Sequence, residues 1–400
     1  MSNVSDIQYI SLFSGIGGLE HKTISPLLFC EQDSSCQIVL QSRHPGVEII
    51  GDIRALLSPP NAEIVVGGWP CQDLSSAGTL GGITASRSGL FFEMVRVAKE
   101  SGAHTIIGEN VPNLLSINQG KDFEIVLKTL IENGFNYISW RILNARNFGL
   151  PQERRRLFIV ASKQRERAQA LHAAIPQFGT SSIDSQAYGF YWTGGKRSIC
   201  FCTGYVPTLK IGSTDERGRA PVAVMYGNHV RKLSPSEFLR LQGFTDIDSK
   251  VIAPSIQLRM AGNAVSVPVG QFVVDAVFEP REMDGDMTTF GYIGQSGFWD
   301  DGLPWGIEHS EMPKACNLHE FIDTDSKDSL SAQAAAGLIV RAARSGQPMP
   351  KELFDNLWTL SRNRSEKIKA SRANSLEALD QMDEEIRLYR DTLLSITDYE

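Results

Sequence analysis

The chain has 400 residues, 42% of them hydrophobic, with 39 Lys and Arg against 46 Asp and Glu and a net charge of −7. That length asks for two or three domains, the apolar share excludes a wholly disordered chain, and the acidic balance excludes a uniformly basic nucleic-acid binder. No run approaches ~18 apolar residues and no charged-then-apolar leader opens the chain, so no membrane role and no secretion are expected, and the cytoplasm is the natural compartment.

Residues 7–13 (IQYISLF) are an apolar, β-prone run that ends in Ser14-Gly15-Ile16-Gly17-Gly18, the pattern of a strand entering a tight turn. Similar runs at 26–30, 63–66 and 104–107 end at Glu31, at GGWPCQ (67–72) and at GENV (108–111). Helical periodicity lies between them, notably at 91–99 and 122–132. Strands alternating with helices predict an α/β fold, a mostly parallel sheet covered on both faces, with ligands beyond the carboxyl ends of its strands. The chemically rich residues all fall at those ends.

Residues 136–143 and 157–161 read as a hairpin that closes the sheet. From about 165 to 256 the pattern breaks into a smaller, loop-rich module, within which Ser234-Pro235-Ser236-Glu237 reads as a capping box opening a helix that stops at Gly243. Residues 264–278 are apolar again and able to rejoin the first domain. Residues 284–329 read as a linker with few strand signals, and 330–344 and 351–396 as helices. Leu376, Leu379, Met382, Ile386, Tyr389, Leu393 and Ile396 form one apolar stripe. A helix packed on its own protein is the expectation, ahead of a dimeric coiled coil.

Three acids or glycine turns at successive strand ends point to a nucleotide-like ligand. The turn at 14–18 lets backbone approach a ligand, Glu31 suits ribose hydroxyls, and Asp52 can accept from an adenine amino group. Each acid alone is more often a solvated loop residue. Cys71 follows the third strand and faces the ligand cleft, whereas Cys30 and Cys36 fit small buried hydrophobes. Glu109, after the fourth strand, is expected beside Cys71, and a thiolate next to a carboxylic acid fits nucleophilic attack assisted by protonation. Between Arg141 and Arg167 stand eight Arg and Lys against two Glu, a local balance of +6 able to meet phosphates. Cys200 and Cys202 lack a second pair, so they do not read as a zinc site.

Taken in order, these motifs resemble those of the cytosine-5 DNA methyltransferases. Phe13 with SGIGG is similar to the first motif, and Glu31 and GDIR (51–54) to the second and third. Pro70-Cys71-Gln72 is similar to the catalytic Pro-Cys-Gln, Glu109-Asn110-Val111 to Glu-Asn-Val, and Gln152, Arg154 and Arg156 to Gln-x-Arg-x-Arg. RKLSPSEFLRLQGFTD (231–246) and GNAVSVPV (262–269) are similar to the last two elements.

The resemblance covers about 1–278 and implies a Rossmann-like fold that uses S-adenosyl-L-methionine. It divides the chain into a catalytic domain at 1–164 completed by 257–280, a target recognition domain at 165–256, and an extension at 281–400 on which it is silent. It assigns Cys71, Glu109, Arg154 and Arg156 to catalysis on a flipped cytosine, with the two arginines holding the base and loop phosphates. It assigns Phe13, Gly15, Gly17, Gly18, Glu31, Asp52, Ile53, Asn263 and Val265 to the cofactor. Gln72, Ser75, Arg87, Gln152 and Thr208 (in the Thr208-Leu209 pair) fall to DNA, with residues 75–89 as a closing loop. Ser11 departs from the family, which usually has an acid two residues before Phe13, and Trp69 stands where proline or phenylalanine is common. The implied partner is double-stranded DNA, bound by a monomer, in a restriction-modification setting that leaves room for a cognate endonuclease; the C-terminal helices are free for protein contacts. A non-catalytic DNA-binding relative and an RNA methyltransferase are the rival readings.

Overall fold

The computed structural model describes residues 7–70, 89–173, 187–192, 200–210, 222–247, 252–280, 292–293, 317–324, 326, 329–362 and 384–392. Cys71, Gln72, Ser75 and Arg87, the loop at 75–88, and Leu376, Leu379, Met382, Leu393 and Ile396 lie outside the described residues.

The first half builds one sheet from β1 (Tyr9–Leu12), β2 (Leu28–Cys30), β3 (Glu48–Ile50), β4 (Ile64–Gly68), β5 (Thr105–Asn110), β6 (Tyr137–Asn144) and β7 (Arg155–Ser162). Each central strand is a short apolar run without alternation, as burial on both faces demands. Strands β3, β2, β1, β4 and β5 are parallel and lie in that order, so the order reverses beside β1, the position at which such sheets open a ligand crevice. Strand β7 runs antiparallel between β5 and β6, which is the expected closing hairpin. Helices α2 (Gly89–Glu100) and α3 (Lys121–Glu132) cover one face, their Phe91, Met94, Phe123 and Leu127 packing on Ile10, Val65 and Ile106. On the other face α4 (Arg165–Ala173) and α7 (Val267–Phe278) set Leu171, Val273 and Val277 against Tyr9, Val66 and Val160. Helix α1 (Ser34–Arg43) starts from an Asp33 cap.

A second sheet, wholly antiparallel, contains β8 (Ala187–Tyr191), β9 (Phe201–Thr203), β10 (Val222–Tyr226) and β11 (His229–Lys232) in the order β11-β10-β8-β9. Its strands alternate. Ala187, Tyr191, Val222 and Val224 face α5 (Pro235–Leu241) and α6 (Pro254–Asn263), together with Leu318 and Ile322. Tyr188, Phe190, Ala223 and Met225 face α8 (Ala332–Ser345), α9 (Lys351–Arg362) and the helical segment 384–392 through Ile386 and Tyr389. The capping box at Ser234 and Glu237 is present.

The C-terminal helices pack on the chain itself, as their apolar stripe leads one to expect. They form the second cover of the small sheet, because that sheet is apolar on both faces and the segment 187–262 supplies a cover for only one. Tyr292-Ile293 forms β12, an edge strand beside β6 that the sequence pattern did not reveal. Residues 254–278 are the one stretch among the described residues apolar and long enough to cross a membrane; Ala264 breaks it into α6 and α7, and most of it is buried.

Candidate active site

At the end of β1 the chain must turn sharply, and Phe13 does so with φ +52°, a left-handed conformation costly for a non-glycine residue. Gly15 (φ +58°) and Gly17 (φ +93°) continue the turn. A Cβ at Gly18 would stand 2.5 Å from the Val265 carbonyl oxygen, so the glycine supplies the close approach that brings the last motif onto the first. At Gly15 the corresponding space is open.

Glu31, at the end of β2, accepts from the Gly15 amide through Oε2 (2.7 Å) and from the Asp33 amide through Oε1 (2.7 Å). Burial pushes its carboxyl above the ordinary range, against the pull of those amides. Asp52 caps a short turn by accepting from the Arg54 amide (3.0 Å), and its side chain is 51% exposed. Ile53 is buried behind it, with its carbonyl held by Arg96 Nη2 at 2.9 Å. Asn263 is exposed at the end of α6 and Val265 half-buried. The residues expected at the cofactor stand at the ends of β1, β2 and β3, a rim continued by Asn263 and Val265 at the return into α7.

Glu109 sits beside this rim, paired in register with Gly68 at the end of β4. A Cβ at Gly68 would stand 2.9 Å from Glu109 Oε2, so only glycine leaves room for the carboxylate to turn inward. Arg156 Nε lies 3.0 Å from Glu109 Oε1. Burial pushes the Glu109 carboxyl up, while the charges of Arg156 and then Arg154 pull it down; the net direction is up. Asn110 Nδ2 donates to the Trp69 carbonyl (3.4 Å), holding the chain one residue before Pro70-Cys71.

Three of the expected site residues are held by ties within the chain. Arg154 is 2% exposed, and its guanidinium donates to the carbonyls of Leu209 (3.1 Å), Gly262 (3.2 Å) and Ala264 (2.6 Å). It thereby ties three chain segments together beside the site. Gln152 is 0% exposed; its amide donates to Leu241 O (2.8 Å) and accepts from the Leu209 amide (3.1 Å). The half-buried Thr208 donates its hydroxyl to the Glu153 carbonyl (2.6 Å), a tie to the backbone. The basic patch is also divided. Strand β7 separates Arg155 and Arg156 at the site from Lys163, Arg165 and Arg167 at the far end of the sheet, about 25 Å away at ~3.3 Å per residue. There Arg167 meets Glu63 at 3.6 Å.

Sequence reasoning missed Glu20 and Arg43. The buried Glu20 carboxylate accepts from the Gly18 amide and, through Oε1, from the Ser11 hydroxyl (2.9 Å). An acid thus returns to the turn from the other direction, which compensates for serine at position 11; the signal was an acid directly after the glycines. Arg43 donates to Ile16 O (2.6 Å) and pairs with Asp246 (2.9 Å), a tie across 203 residues that no local pattern marks.

The family model for C-5 cytosine-specific DNA methylases matches residues 7–192 and 179–279. Type II methyltransferase M2.BsuMI of Bacillus subtilis (strain 168) is 33% identical over 371 residues, covering 84% of this chain and 94% of that protein. Type II methyltransferase M.Bsp6I of Bacillus sp. (strain RFL6) is 29% identical, covering 68% of this chain and 99% of that one. Among solved structures, the S. pombe Dnmt2 methyltransferase is similar at TM-score 0.48 and 16% identity, over 68% of this chain and 98% of the other. Motifs in family order, strand ends that assemble them and a family match spanning both modules lead to one conclusion: the chain belongs to the C-5 cytosine-specific DNA methylase family and is a DNA cytosine-5 methyltransferase.

Proposed function

We propose that this enzyme methylates carbon 5 of a flipped cytosine in one short double-stranded DNA site, with Cys71 as covalent nucleophile, as the modification half of a restriction-modification pair. The observation that carries this reading is the buried Glu109 carboxylate, 3.0 Å from Arg156 and in register with the strand that leads to Cys71.

The rim at β1 and β2 fits S-adenosyl-L-methionine. Glu31 is anchored by two amides yet keeps lone pairs for ribose hydroxyls, Asp52 is exposed toward solvent, and the space above Gly15 is open. When bound, that cofactor supplies an activated methyl group. Phe13, Ile53, Asn263 and Val265 would line its adenosine.

Burial pushes the Glu109 carboxyl up, which favours the protonated form that donates to ring nitrogen 3 of the cytosine and makes carbon 6 electrophilic. The Cys71 thiolate adds there, and the electron pair moves to carbon 5, which takes up the methyl group. Loss of the carbon 5 proton then restores the double bond and expels the thiolate. Arg156 holds the Glu109 carboxyl and faces the base. Gln72, Ser75 and Arg87 approach the DNA strand.

Plasmid DNA incubated with labelled S-adenosylmethionine and read by bisulfite sequencing tests the reading. The expected result is 5-methylcytosine in one short motif, with incorporation reduced by about 10⁴-fold or more in Cys71→Ala while DNA binding persists. Normal turnover in that variant would sink the covalent mechanism.

A further inference from the structure

Cys200 and Cys202 take no part in the reaction, yet their sulfurs stand 3.4 Å apart. Cys200 is exposed and precedes β9; Cys202 lies within it and is buried. Tyr205, Lys210 and the Glu153 carboxylate lie near the pair. The Tyr205 hydroxyl donates to the Cys202 sulfur, Lys210 lies over the Tyr191 ring beside the pair, and Arg146 covers Tyr205 at 3.7 Å. The thiol hydrogen bond from Cys202 holds the Cys200 thiol down at about 7, and the same bond together with burial pushes Cys202 up. One sulfur is thus an accessible nucleophile and the other a resolving thiol behind it. Cys30 and Cys36 differ, since burial pushes both thiols up, Cys30 to about 12.

The pair stands at a mechanical joint. Cys202 pairs in register with Gly189, where a Cβ would stand 2.6 Å from the Val206 Cα, so sheet and following segment are pressed together. Val206 bridges Gln152, accepting from the Glu153 amide (2.8 Å) and donating to Pro151 O (2.8 Å). Tyr191 donates to Thr208 O at 2.7 Å, and Thr208 in turn holds Glu153. Arg154 and Arg156 follow directly in sequence. In an extended strand, Cα atoms two residues apart are about 6.6 Å from each other, at the upper end of the separations a disulfide spans. Closing one here must kink β9, which pairs with β8 through only three residues.

We propose that Cys200 and Cys202 form a thiol-disulfide exchange site, oxidised by a low-molecular-weight disulfide, whose closure weakens DNA binding through the Val206–Gln152 bridge. The Cys200 thiolate attacks one sulfur of the small disulfide and expels its partner as a thiolate. Cys202 then attacks the Cys200 sulfur of the mixed disulfide, expelling the second thiolate and giving up its proton to it. The protein loses two electrons and the small disulfide gains them. A bond closed against the geometry of a strand is easily reduced, as a reversible site in a reducing compartment requires.

The test uses the full chain with Cys71→Ala, which removes the other reactive thiol. It is equilibrated in mixtures of reduced and oxidised glutathione, alkylated, digested and weighed. The peptide carrying 200–202 should lose two hydrogens and take up neither alkyl group nor glutathione. Oxidation should weaken binding to a duplex carrying the methylated motif by about fivefold to tenfold, the scale of one lost hydrogen bond. Dithiothreitol should restore it, and added Cys200→Ser should hold the reduced-state affinity under both conditions. A stable glutathione adduct on Cys200, free thiols in fully oxidised glutathione, or unchanged binding after closure would each overturn the proposal.

Discussion

In the large sheet every central strand delivers its functional group at its end, whereas in the small sheet the strands mainly present two faces to be covered. Parallel strands buried on both sides leave only their carboxyl ends open, so Phe13, Glu31, Glu109 and the lead-in to Cys71 converge although nearly 100 positions separate the first from the third. The antiparallel sheet alternates, and each face needs its own helical layer. The chain supplies one layer at once, in α5 and α6, and the other only after residue 330. Chemistry therefore clusters in short motifs, while the scaffold of the second module is assembled from pieces far apart. Arg154, Gln152 and Thr208 occupy the border between the two and act as ties.

The most severe way to break this division is to remove the late layer. Deleting 330–400 uncovers Tyr188, Phe190 and Met225. At ~1.5–3 kcal/mol per large apolar side chain these three alone forfeit about 5 to 9 kcal/mol, comparable with the whole stability of a domain. Aggregation or loss of the cooperative unfolding transition is expected in calorimetry; unchanged melting would refute the second-cover role.

Next comes the buried pair that joins β11 to α5. Arg231 lies 2.6 Å from Glu237, which also accepts the Ser234 amide (2.6 Å) and the Asp323 amide (2.5 Å). Glu237→Gln leaves a buried guanidinium uncompensated and should cost about 3–5 kcal/mol in denaturant titration. Burial would raise the Glu237 carboxyl, but its hydrogen bonds, Arg231 first, outweigh that and lower it. A lowered carboxyl stabilises the fold fully above its ordinary range of ~4.3, and this stability is lost as pH falls through the lowered value. The wild type should therefore lose this contribution in acid and the variant should not.

Arg154→Met probes the border. Leaving three buried carbonyls short of a donor should cost about 3 kcal/mol and raise KM for DNA with little change in kcat. A collapse of kcat with stability intact would instead place Arg154 on the base. The smallest effect is expected at Ser11→Ala, which deprives Glu20 of one hydrogen bond and should cost about 1 kcal/mol, read as a modest loss of thermal stability and cofactor affinity.

Legibility followed the same division. The alternation of apolar runs and helices, the closing hairpin, the capping box and the motifs at strand ends were all readable, because each depends on residues within a few positions of one another. Fold class and family were therefore determined by the sequence alone. The tertiary structure decided everything that depends on long-range closure. It gave Arg154 and Gln152 their partners within the chain, since a guanidinium or amide shows its partner only once carbonyls from positions 209, 241 and 262 arrive beside it. It split the run of positive charge, because the eight-residue strand β7 carries the two ends of that run to opposite ends of the sheet. It also made the described C-terminal helices the second cover of the small sheet. An apolar helix stripe announces that it will be covered, but what covers it depends on which other face has been left bare.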